Sequence, residues 1–144
     1  MLEHLHNPIE NLKAAQQLLK PNGLLVFSIP NMESVEARWF GRYWLGWELP
    51  RHLYFFSRPV IEGILTNLGL KTVSWDCLVG AYPSFLLTYR FALEAKGDSS
   101  WWVHLALGLG QALPTRLAAA PMFWLLTRSG KASLITGFAQ KQKV

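Results

Sequence analysis

Cysteine is almost absent: Cys77 is alone among 144 residues. It permits no internal disulfide and no cysteine-built metal site, and it fits a reducing, cytoplasmic compartment. Charge is scarce too, at 16% of residues against about a quarter in ordinary soluble domains. No run of Lys or Arg accompanies the net charge of +5, and the 14 basic residues are scattered. No nucleic-acid partner is expected, then, and the charge suits an anionic small molecule or a membrane surface. Met1 to Ile9 does not read as a signal peptide, because Glu3, His4 and His6 stand where an apolar region is required. An unbroken membrane span is lacking as well. The most apolar stretch, Trp101 to Leu126, is divided by Gly108, Gly110, Pro114 and Pro121 into pieces shorter than the ~20 residues needed. Internal repeats and low-complexity segments are absent.

What remains is an apolar, aromatic body: 51% hydrophobic residues, with seven Trp and eight Phe. The length fits one domain over 1–144. Its organising stretch is Leu18 to Asn31. Pro21-Asn22-Gly23 stops a helix, and Leu24 to Ile29 form an apolar run of strand length, suited to a strand covered on both faces. Pro30 ends the ladder and leaves Asn31 at the strand's carboxyl end, the edge where open α/β sheets bind ligands.

Upstream, Asn7 is placed as an N-cap, Pro8 at the first helical position and Glu10 in a capping box. Ile9, Leu12, Ala15 and Leu19 give the helical stripe. Downstream, a connection of more than twenty residues holds a short helix (Ser34 to Phe40) and the aromatic stretch Trp39 to Trp47. Such lengths belong to lids and binding loops. Ser57 then caps a second helix with Ile61, Ile64, Leu65 and Leu68 on one side and Gly69 as its stop. Lys71 to Cys77 alternates, with Val73, Trp75 and Cys77 on one face of a half-buried strand. A helix over Tyr82 to Ala95, capped by Ser84, a polar break at Gly97 to Ser100, and two short helices over 101–126 follow. Ser133 to Ala139 is a last strand, and Gln140 to Lys143 a solvated tail.

Four words in this order resemble the carboxyl-terminal half of class I S-adenosylmethionine-dependent methyltransferases, nearest the quinone-pathway and small-molecule O-methyltransferase branch. They are Leu2-Glu3-His4-Leu5 with Asn7-Pro8, Leu19-Lys20-Pro21-Asn22-Gly23-Leu24-Leu25-Val26, Pro50-Arg51-His52-Leu53-Tyr54 with Phe56-Ser57, and Leu68-Gly69-Leu70. The resemblance implies an α/β, partial Rossmann-like methyltransferase fold. Leu2 to Leu5 would end its fourth strand, the next two strands would be its fifth and sixth, and Ser133 to Ala139 its antiparallel seventh, inserted between them. An apolar helical insertion would occupy 78–130. S-adenosylmethionine is the implied cofactor. The glycine-rich loop that binds it in this family would lie before Met1, and Gly108-Leu109-Gly110 follows no strand and cannot replace it. The chain therefore reads as a fragment.

The implied reaction is methyl transfer to an oxygen or nitrogen nucleophile of a small-molecule, lipid or saccharide substrate. Glu3, His4 and His52 are the candidate catalytic residues, since a histidine beside a carboxylate takes a proton from an attacking hydroxyl. Local capping by Glu3 and loop ordering by His4 is the competing reading. His52 is expected to face solvent in the site, so that its removal costs little stability. Asn31, Trp47 and Arg51 are the candidate substrate contacts, although Trp47, with Trp39 and Trp44, also suits lid packing. In quinone and small-RNA methyltransferases of related pattern a Glu-x-x-Glu-His set plus a later His binds a divalent metal. Glu3, His4 and His52 match three of those ligands and the first Glu would precede Met1, so a metal is not favoured. Trp101, Trp102, Phe123 and Trp124 resemble interfacial anchors, which points to peripheral membrane contact through 101–126. A non-catalytic remnant or peripheral-membrane module is the alternative to an enzyme.

Overall fold

The computed structural model describes residues 2–78, 81–95, 97 and 100–142. Their architecture is mixed α/β: a three-stranded sheet with six helices. Strands β1 (Leu24–Pro30) and β2 (Leu70–Asp76) each pair antiparallel with β3 (Leu134–Lys141), giving the order β1-β3-β2. The last strand therefore lies between the other two, the insertion implied for the seventh strand.

Helix α1 (Pro8–Leu18) opens with Pro8 at a position whose N–H would be unpaired anyway. The Asn7 side chain makes no cap; its carbonyl instead accepts from Asn11 Nδ2 at 2.7 Å. Leu12 enters the core, but Ile9 is 54% exposed, because only the Pro8 and Leu12 edge of the helix is covered. In β1, Phe27 and Ile29 are buried while Leu24 and Val26 are exposed. Among the described residues the strand is thus covered on one face, not two.

Helix α3 (Arg58–Asn67) buries Ile61 and Leu65 and ends before Gly69, whose φ of +72° makes the left-handed turn into β2. The alternation expected in β2 is broken by a bulge. Thr72 pairs with Ala139 and Ser74 with Phe138, leaving Val73 as the extra, exposed residue. Trp75 is consequently half-buried and Cys77 buried, while Val73 faces out. Strand β3 continues into the expected tail: Lys141 pairs with Leu70, and its Nζ donates to the carbonyls of Gln16 and Leu19 at 2.9 Å each. A charged strand residue thereby caps α1.

Helix α4 (Ala81–Ala95) begins three residues before Ser84, which therefore sits inside it and caps nothing. Asp98 and Ser99 of the polar break lie outside the described residues. Helices α5 (Trp101–Gln111) and α6 (Leu113–Arg128) are interrupted only at Ala112; Gly108 and Gly110 stay within α5, and Pro121 within α6. No described helix is long and apolar enough to cross a membrane.

Candidate active site

Backbone hydrogen bonds tie the amino-terminal turn to the segment before α3. Leu2–His4 is one turn of 3₁₀ helix, not the end of a strand. The Glu3 carbonyl accepts from the amides of Leu53 at 2.7 Å and Tyr54 at 3.4 Å, and Tyr54 Oη donates to the His6 carbonyl at 2.9 Å. These contacts bring Glu3, His4 and His52 together. The two imidazole rings stand 4.7 Å apart. His4 Nδ1 donates to the Arg51 carbonyl at 3.0 Å, and His52 Nδ1 to the Gly46 carbonyl at 2.7 Å. A carbonyl only accepts, so each ring carries its hydrogen on Nδ1. Each Nε2 then faces a carboxylate: His4 Nε2 is 3.7 Å from Glu3 Oε1, and His52 Nε2 is 3.5 Å from Glu48 Oε2. Lone pair against carboxylate is an arrangement that positive charge arriving at Nε2 completes. Glu3 and His52 are both buried, His4 exposed. One ligand atom from each of Glu3, His4 and His52 lies within 4.8 Å of the other two.

His52, Glu3 and Glu48 open on a cavity of about 180 Å³, shared with the hydroxyl residues Ser84, Thr88 and Ser133. The connection from β1 holds helix α2 (Val35–Phe40), which Ser34 Oγ caps through the Ala37 amide, and two 3₁₀ turns, the second of which gives Leu45 and Gly46 to the lining. Buried hydrogen bonds pin this segment. The fully buried Trp44 donates Nε1 to Ser133 Oγ at 2.7 Å, Ser133 donates to Glu36 Oε2 at 2.8 Å, and Thr88 donates to the same oxygen at 3.3 Å. Burial pushes the Glu36 carboxyl up from its ordinary range, against the opposing hydrogen bonds from Ser133 and Thr88.

Of the other candidates, Trp47 packs edge to face between Trp44 and Phe55 at 5.3 and 5.0 Å, with Nε1 donating to the Gly41 carbonyl. Asn31 is buried: Nδ2 donates to the carbonyls of Gly130 and Ala132 at 3.0 and 2.9 Å, and Oδ1 accepts from the Glu33 amide. Its amide thus fastens the turn leading into β3. Arg51 is exposed and pairs with Glu48. Trp39 lies on the surface. Glu36, Glu48, Thr88 and Ser133 are site residues the sequence did not announce. Glu48 and His52 have helical spacing, but Pro50 between them hides it. Glu36 sits in the short helix expected over Ser34 to Phe40, where nothing in the sequence marks an acid as buried.

The cavity beside Glu3 and His52 does not by itself fit S-adenosylmethionine. The cavity is below the ~300–1,000 Å³ usual for ligand pockets, at about 180 Å³. Residues 1–74 match the methyltransferase-domain family, and the chain belongs to it. Among solved structures it is similar to YjhP from E. coli, at 19% identity and a TM-score of 0.36, over 89% of this chain and 49% of that one. It thus spans about half the length of that protein. No curated protein matches it.

Proposed function

We propose that this chain supplies the acceptor side of S-adenosylmethionine-dependent methyl transfer to an oxygen or nitrogen nucleophile of a small molecule, lipid or saccharide. The observation behind it is the pair of imidazoles whose Nδ1 hydrogens are fixed on backbone carbonyls while Nε2 faces a carboxylate. An acceptor hydroxyl in the cavity gives its proton to His52 Nε2, and Glu48 stabilises the imidazolium. Glu3 adds negative charge from the buried side. Leu45 and Leu134 line the same cavity and exclude water. The test is methyl transfer from labelled S-adenosylmethionine to pools of phenols, lipids and saccharides, using the natural polypeptide that carries these residues. Labelled product that falls sharply with His52→Gln is expected. No label in any pool, or full labelling with His52→Gln, would overturn the reading.

The same atoms favour one other reading. Three ligand atoms within 4.8 Å, on imidazoles oriented by carbonyls, form a donor set for a divalent cation. Glu3, His4 and His52 would hold it, and it would supply Lewis-acid polarisation of the acceptor oxygen. A chelator separates the two: turnover is unchanged if His52 is the proton acceptor alone, and is lost and restored by divalent cation otherwise.

A further inference from the structure

Helices α5 and α6 contribute little to the core. Val103 is the one buried residue of α5, and Phe123 the one of α6. Trp101, Trp102, Leu109, Leu113, Leu117 and Trp124 are each more than half exposed. From Trp101 to Arg128 there is no Asp or Glu, while His104, Arg116 and Arg128 are present. The Arg128 guanidinium lies 5.0 Å over the Trp124 ring. Arg116 joins Leu113, Leu117 and Trp124 in an open groove of about 420 Å³ against the start of α4. An apolar surface with tryptophans, cations and no acid matches the boundary of a bilayer, where rings lie at headgroup depth and cations meet phosphates. A second copy of the chain would bring the same basic charge against itself, with no acid in these helices to answer it.

We propose that α5 and α6 dock the protein on an anionic lipid surface, with the exposed Trp and Leu side chains in the headgroup boundary and Arg116 and Arg128 on lipid phosphates. The helices lie on the membrane and do not cross it, as their lengths require. This groove and the cavity of the acid–base cluster share no lining residue, so the two readings fail independently.

Flotation with vesicles of phosphatidylcholine, with and without phosphatidylglycerol, tests it. The protein should float with both vesicles, and more completely with the anionic ones than with the neutral ones. Salt added after binding should not release it, because apolar burial then dominates over charge. Combined Trp101→Ser, Trp102→Ser and Trp124→Ser should abolish flotation, and Arg116→Glu with Arg128→Glu should remove the preference for anionic lipid. All five side chains are exposed, so the melting transition should not move. Equal flotation with both vesicles, flotation with neither, or release by salt alone would overturn the proposal. So would a dimer in sedimentation that the tryptophan variant dissociates, since a second copy would then cover this face.

Discussion

Phe27 and Trp75 stand on strands that never pair with each other, yet their rings meet edge to face at 5.6 Å. The contact passes over Gly137, which sits opposite both residues in β3. A Cβ built there would lie 2.6 Å from the Phe27 ring and 2.7 Å from the Trp75 ring. Overpacking of this kind costs ~1–3 kcal/mol. Gly137→Ala should therefore lower the melting temperature by several degrees, read by near-ultraviolet circular dichroism. An unchanged melt would mean that the two rings part freely and that their contact does not hold the sheet.

Glu36 makes stability depend on pH. Burial raises its carboxyl above the ordinary 4.5, so the neutral form is the one the fold prefers. Its contribution is fully present below about 4.5 and is lost as pH rises through the raised folded value. Glu36→Gln should leave stability near pH 4.5 almost unchanged and add ~2–4 °C at pH 8, the shift ~1 kcal/mol causes at this size. Thermal melts across that range measure it. A variant that loses more stability at high pH than at low would reverse the sign and show an ionised, stabilising Glu36.

His52 is buried, not facing solvent as its position in the sequence suggested. Truncation to Ala would remove packing as well as chemistry, so the informative change is His52→Gln, which keeps a donor for the Gly46 carbonyl. Turnover should fall ~10²–10⁴-fold, the usual worth of a positioned acid–base group, with KM and melting temperature nearly unchanged. If KM rises while kcat holds, His52 belongs to binding instead.

Residues 1–144 on their own should not bind S-adenosylmethionine at low micromolar concentration. The cavity beside Glu3 and His52, at about 180 Å³, is below the size usual for ligand pockets. Calorimetric titration decides this, and a clear low-micromolar isotherm would place a cofactor site that this cavity does not anticipate.

Strong local punctuation carried most of the legible fold. Pro21-Asn22-Gly23 and Gly69 set helix ends, and the apolar runs gave β1, α3 and β3 in their places. What escaped was decided by partners distant in the chain. Val73 is displaced by a bulge that only pairing with β3 creates. Lys141 looks like a solvated tail until its ammonium finds the end of α1, 122 residues away. Residue type alone marked Glu3, His4 and His52 as candidates, and the fold brings the three together. Ser133 and Thr88 escaped because a hydroxyl becomes informative only once its neighbours are buried around it.

The position of β3 also bears on how the chain acquires its shape during synthesis. Neither β1 nor β2 has another strand partner among the described residues, and Leu24 must wait for Gln140. In a growing polypeptide β1 and β2 therefore lack this shared partner, which covers one edge of each in the finished sheet, until Leu134 to Lys141 have left the ribosome. Helices can form locally in the meantime, but the β1-β3-β2 order cannot close. A chaperone that shields such strands should be bound longest just before Leu134 to Lys141 emerge, and a pause in translation there would prolong the interval in which the nascent chain is most prone to aggregate.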